Sequence, residues 1–168
     1  MSQERIGIGS DHAGFRLKES VKRWLIDHSY TVLDFGTASE EPCDYPDFAI
    51  ALAEAMAAGE VERGILICGT GIGMSIAANK FPHLRAAVCH DPTTARFSRA
   101  HIDANVLTLG SRITGEMVAL DIVNAWLHTP FEGGRHSRRL AKIDGLASPP
   151  ISSRLEVDGS SGGSSAGT

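Results

Sequence analysis

Short apolar runs recur along the chain, each followed by polar or glycine-rich punctuation and then by a stretch with helical spacing. Arg5-Ile6-Gly7-Ile8-Gly9 reads as a first strand and Ser10–Gly14 as the loop at its C-terminal end. The next helix spans about Phe15 to His28, with Leu17, Val21, Trp24 and Leu25 sharing one face. Thr31–Phe35 is a second strand closed by Gly36, and the Thr37–Pro46 loop carries acids, two prolines and Tyr45. Phe48 to Ala58 is helical by its alanine content and ends at Gly59. A central strand, Ile65–Cys68, runs through glycines into a helix beginning near Ile76. Arg85–Cys89 is the fourth strand, followed by a helix that Asp91-Pro92 opens and that continues to about Ala100. Asn105–Gly110 is the fifth strand, Glu116–Leu127 an amphipathic helix stopped near Pro130, and Arg135 to Ile143 a last helix after Gly133-Gly134.

Strands alternating with helices predict an α/β fold with a parallel sheet covered on both faces. The expected architecture is a five-stranded, doubly wound, Rossmann-like three-layer sandwich over residues 1–146. From Ala147 the composition turns to Ser, Pro and Gly. A segment of that kind buries too little apolar surface to order itself, so 147–168 is expected to be a flexible tail.

Composition narrows the function. The chain has 168 residues and a net charge of −4, which argues against a general binder of nucleic acid or membrane surfaces. An anionic ligand would need a local group of arginines. Neither a basic stripe nor an aromatic stacking motif is present. Met1–Arg5 lacks a signal-peptide pattern and no apolar run is long enough to span a bilayer. Cys43, Cys68 and Cys89 form no CxxC pair and no disulfide framework. A cytoplasmic protein with reduced thiols is expected.

The central strand carries the strongest chemical signal. Cys68 stands at its C-terminal end, where open α/β sheets hold their ligands, and Gly69, Gly71 and Gly73 follow at alternate positions. A strand turning through glycines into a helix aims several backbone N–H groups at one point, which suits an anion. The spacing G-x-G-x-G matches neither the dinucleotide fingerprint nor the P-loop. A tight turn with a buried thiol is the structural alternative. As chemistry, a thiol beside such N–H groups has its thiolate favoured. It could take a proton α to a carbonyl while the N–H groups hold the enediolate, a donor loss typically costing about 3 kcal/mol of barrier.

The loops after the strand C-termini converge on one sheet edge. They carry Asp11 and His12, Tyr45, Cys68 to Gly73, His90 and Asp91, and Arg112. Asp11 could equally cap the first helix, His12 be an exposed loop residue, and His101 complement a helix C-terminus. Arg135, Arg138 and Arg139 could be a solvated face, yet Arg135 and Arg139, four apart, can clamp one phosphate.

With these residues assembled, the chain closely resembles the type B ribose-5-phosphate isomerases, a family shared with galactose-6-phosphate isomerase subunits. The resemblance runs from about Ile6 to Ile143. It rests on Ser10-Asp11-His12-Ala13-Gly14, Asp44-Tyr45-Pro46, Cys68 through Lys80, Asn105-Val106-Leu107 and Gly133-Gly134-Arg135-His136. It implies an aldose–ketose isomerisation of a phosphorylated sugar through a cis-enediolate, without metal or organic cofactor. Cys68 matches the base; Thr70 and the Gly69, Gly71, Ile72 and Gly73 backbone match the loop that holds the enediolate oxygens. His101 matches the acid that opens the furanose, Asp11 and His12 the groups that handle hydroxyls and ring oxygen, and Arg112, Arg135 and Arg139 the phosphate positions. The resemblance further implies a homodimer or tetramer in which His101 enters the partner subunit's site. Members without this Cys carry Glu at the position of Met74, so Cys68 is the expected base here.

One position departs from the pattern. The family usually has Asn after the acid His, and this chain has Ile102, which cannot hydrogen-bond a hydroxyl. The preferred sugar could then be erythrose 4-phosphate or allose 6-phosphate, or Ile102 could merely pack at a subunit interface. A non-catalytic sugar-phosphate binding domain is the alternative of another class, since fold alone does not define function.

Overall fold

The computed structural model describes residues 4–146. The expected tail, 147–168, lies outside the described residues. Five parallel strands form one sheet: β1 (Arg5–Ser10), β2 (Thr31–Asp34), β3 (Arg63–Cys68), β4 (Ala86–Val88) and β5 (Val106–Gly110), in the order β2-β1-β3-β5-β4. Six α-helices connect and follow them: α1 (Phe15–Asp27), α2 (Tyr45–Ala57), α3 (Ile72–Ala78), α4 (Pro92–Ala100), α5 (Glu116–His128) and α6 (Arg135–Asp144). The α/β sandwich expected from the pattern is therefore the fold.

Strand residues alternate between two cores, as a pleat requires. Ile65 and Ile67 of β3 face one side with Leu107, Leu109 and the helices α1, α4 and α5; Trp126 is fully buried there. Leu66 and Cys68 face the other side with Leu52, Met74 and Ala78 of α2 and α3. Both faces of the middle strands are covered, which explains their unbroken apolar character. Under the β1–β2 edge, Lys18 is 1% exposed. Its Nζ is bonded to Asp34 Oδ2 at 2.6 Å and to Glu19 Oε1 at 2.8 Å. Lys22 adds a second cation to the group, 2.8 Å from Asp34.

The chain leaves β1 toward β2 and later returns to lay β3 on β1's other side, so the winding reverses between β1 and β3. A crevice opens beyond the strand ends at such a reversal. Asp11 and Cys68 border it.

Helix starts differ from the sequence-based reading. Tyr45 is the first residue of α2 rather than a loop residue, because Pro46 falls in the helix's first turn, where its missing N–H costs nothing. α3 begins at Ile72, four residues before the expected Ile76, so Gly73 and Met74 are helical. Gly71 makes this possible: at φ +78° it is left-handed, and the helix starts directly after it. Residues His12–Gly14, expected as loop, form a single 3-10 turn.

Candidate active site

Three strand ends are laced together by backbone hydrogen bonds. Asp11 N donates to Ile67 O (3.3 Å), Ser111 N to Cys68 O (2.9 Å) and Arg112 N to Gly69 O (3.0 Å). Ser111 Oγ donates to Ala13 O at 2.7 Å. The close packing depends on missing side chains. A Cβ on Gly14 would lie 2.5 Å from Ile67 O, and one on Gly110 would lie 2.6 Å from the Thr70 carbonyl.

Inside this frame Cys68 is 5% exposed, and Gly71 N donates to its Sγ at 3.2 Å. A charged acceptor strengthens such a bond. Thr70 Oγ1 accepts from Ile72 N at 3.3 Å, which closes the turn and leaves the Thr70 side chain exposed at its tip. Tyr45 lies across Gly73, whose hypothetical Cβ would be 2.7 Å from the phenol ring. Asp11 is 6% exposed and accepts from Gly14 N at 3.0 Å, so it does cap the 3-10 turn; its carboxylate also borders the crevice. Cys43 N donates to His12 Nδ1 at 3.2 Å. That bond makes Nδ1 the acceptor, so a neutral His12 carries its proton on Nε2.

Arg112 covers Gly69, its Nε 3.5 Å from where a Cβ would sit. Neither Arg112, Arg135 nor Arg139 has a carboxylate within ion-pair distance among the described residues. Arg5, Arg16, Arg63, Arg85 and Arg99, by contrast, are all paired. Three exposed guanidiniums without acidic partners are free to take an anion. Asp91 is a helix cap: its Oδ1 accepts from Thr93 N and Thr94 N, both at 2.8 Å. Those bonds, led by Thr94's, hold its carboxyl below the usual range. His90 is exposed with no hydrogen bond or ion pair in the described chain. Burial pushes the Cys89 thiol up, and it faces the opposite core from Cys68.

The remaining site residues do not join this group within one chain. α4 follows β4 and runs back against the strands, so His101, at its C-terminus, reaches the opposite edge of the sheet. Its neighbours there precede strands rather than follow them: Arg85, just before β4, donates from Nε to the carbonyls of Ile102 and Asp103, both at 3.2 Å. Ile102 is 42% exposed. Arg135 and Arg139 lie on α6 in the same region.

At that edge His101 stacks on His136 with ring centroids 4.2 Å apart and planes 9° from parallel. Glu132 Oε2 is 3.8 Å from His101 Nε2 and 3.6 Å from His136 Nε2. These three ligand-type atoms lie within 4.8 Å of one another. Parallel rings, however, send their in-plane lone pairs side by side rather than to one centre at roughly 2 Å from each, so the arrangement lacks the convergence a metal requires. Glu132 was not legible as a candidate residue: the positive-φ turn at Gly133-Gly134 separates it from α6, so its spacing to His136 carries no helical signal.

Residues 6–143 match the profile of the Ribose/Galactose Isomerase family. Ribose-5-phosphate isomerase B of Escherichia coli is 50% identical over 143 residues, covering 85% of this chain and 96% of the relative. The structure of Clostridium thermocellum ribose-5-phosphate isomerase B shares 54% identity and superposes with a TM-score of 0.83, over 84% of this chain and 96% of that one. A D-erythrulose-4-phosphate isomerase of Pectobacterium atrosepticum is 44% identical over 140 residues, 82% of this chain and 91% of the relative. The chain belongs to the Ribose/Galactose Isomerase family. Within it, the protein is a sugar-phosphate isomerase.

Proposed function

We propose that the protein interconverts ribose 5-phosphate and ribulose 5-phosphate through a cis-enediolate. The observation that carries this reading is Cys68 Sγ, at the end of β3, with the Gly71 amide aimed at it from 3.2 Å. In the proposed sequence His101 gives a proton to the furanose oxygen as the C1–O bond breaks, and the C1 hydroxyl gives up its proton to become the aldehyde. Asp11 and His12 border the crevice for that second transfer. The Cys68 thiolate then removes the C2 proton, and the C2–H pair forms the C1–C2 double bond as the C1 carbonyl π pair moves onto O1. The Cys68 thiol, which exchanges its proton with solvent, protonates C1 while the O2 hydroxyl passes its proton to O1, giving the ketose. Thr70 and the Gly69, Gly71, Ile72 and Gly73 backbone hold the oxygens, while Arg112, Arg135 and Arg139 take the phosphate.

Because the base and the acid lie at opposite sheet edges, the complete site is read as shared between two copies of the chain, in a dimer or tetramer. Half-exposed apolar side chains at both groups support this: Ile72, Ile76 and Ile113 near the base, Phe97 and Ile102 near the acid. No helix among the described residues is long and apolar enough to cross a membrane, in keeping with a cytoplasmic enzyme. Replacing Cys68 by Ala is expected to abolish isomerisation with sugar-phosphate binding retained; a variant with undiminished turnover removes Cys68 as the base.

A second reading keeps the chemistry and changes the sugar to erythrose 4-phosphate or allose 6-phosphate. Ile102 favours it, as does the name of the Pectobacterium relative. Comparing kcat/KM on the three aldose phosphates decides between them. Ile102→Asn should shift preference toward ribose 5-phosphate if this second reading holds.

A further inference from the structure

The edge that carries His101 contains two groups that the proposed reaction does not use. His136 is 4% exposed, and its Nε2 is buried without a hydrogen-bond partner among the described residues. Glu132 is tied to the end of α4 by its own backbone, N to Ala100 O at 3.0 Å, so its carboxylate is delivered beside His101 rather than left to wander. Its Oε2 is the acidic oxygen that approaches both imidazole Nε2 atoms. His101 itself is held from a second side by Phe97, 4.8 Å between centroids.

Charge explains the stack. Two imidazolium rings face to face would repel. Burial pushes the His136 imidazole down from its ordinary value, and the cations His101, Arg135 and Arg139 push it the same way, against the opposing pull of Glu132. The neutral form of His136 is therefore favoured, which relieves the stack of that repulsion. A neutral plate, an anion at the Nε2 edge and a backbone tether together fix an imidazole's plane and tilt, leaving it little rotamer freedom.

We propose that Glu132 and His136 are positioning residues for the ring-opening acid: the stack on His136 sets the plane of His101, and the Glu132 carboxylate holds its Nε2 edge. The inference rests on the assignment of His101 as that acid. It concerns ring opening alone, because the enediolate chemistry belongs to the other sheet edge.

The substrates themselves separate the two. Ribose 5-phosphate is a furanose and must be opened. Ribulose 5-phosphate cannot close a furanose, since its O5 carries the phosphate, so exchange of its C1 hydrogen with solvent needs only the enediolate step. Isomerisation of ribose 5-phosphate and C1 deuterium incorporation into ribulose 5-phosphate in D2O, followed by NMR, are measured side by side. Glu132→Gln should lower kcat for isomerisation about tenfold, the scale of a misplaced acid, with KM and the exchange rate within about twofold of wild type. His136→Ala should show the same split, and His136→Phe, which restores a flat neutral ring, should recover most of the loss. If exchange falls in step with isomerisation, or if Glu132→Gln changes neither rate, the proposal is overturned. If His136→Phe is as impaired as His136→Ala, the stacking role is overturned. A wild-type protein that catalyses neither reaction would instead refute the pentose-phosphate reading on which the proposal stands.

Discussion

The amide of Gly71 points at the sulfur of Cys68 from 3.2 Å, and it can do so only because Gly71 is left-handed, at φ +78°. A Cβ there would also come within 2.9 Å of the Leu109 backbone. Gly71→Ala should therefore cost about 1–3 kcal/mol of stability through the strained φ alone. It should lower kcat further than that loss explains, because the amide turns away from the sulfur. Thermal unfolding and steady-state kinetics on the same preparation measure both.

Mixed oligomers test the sharing of sites. Cys68→Ala and His101→Ala should each be inactive alone. After co-refolding, half of the dimers would be mixed, each with one intact site, so about a quarter of wild-type activity should return. Activity that stays at the level of the separate variants would mean that base and acid meet in some other way.

Arg112 has no acidic partner among the described residues and covers the Gly69 backbone, so its removal should act on binding rather than folding. Arg112→Ala is expected to raise KM for a phosphorylated sugar by about tenfold or more, the worth of a charge-assisted hydrogen bond, with the melting temperature little changed. Isothermal titration with inorganic phosphate provides the independent check.

The Lys18–Asp34 group sets an acid limit on stability. Burial works to raise the Asp34 carboxyl, but hydrogen bonds from Lys18, Lys22 and the Gly36 amide outweigh it, and the folded-state value is lowered. A carboxyl lowered on folding contributes stability that is full above its unfolded value near about 3.9 and is lost as pH falls through its lower folded value. Denaturant midpoints should therefore drop steeply below that point. Asp34→Asn should flatten the acid limb while reducing stability at neutral pH by about 3 kcal/mol, since Lys18 stays buried with only Glu19 beside it.

How much of this was readable in the chain depended on whether the cause was local. The alternation of apolar blocks such as Ile65–Ile67 with helical stretches sufficed for the parallel sheet. Strand order was not readable: nothing in Val106–Gly110 says that β5 inserts between β3 and β4. The start of α3 was misplaced because Gly73 is a poor helix former, and only the left-handed turn at Gly71 and the Tyr45 ring across Gly73 account for it. Cys68, Gly69 and Gly71 announced themselves by spacing. Glu132 and His136 acquire meaning only when α4 and α6 are brought together, and such proximity is tertiary.

The backbone bonds that lace Asp11, Ser111 and Arg112 to the end of β3 make the loops an extension of the sheet. Their amides should exchange with solvent as slowly as those of the central strands, unlike the amides of a lid. On the proposed reading, a ligand would meet a surface already ordered by these bonds. The entropy of building the cradle is lost once, when the chain folds, and turnover never repeats it.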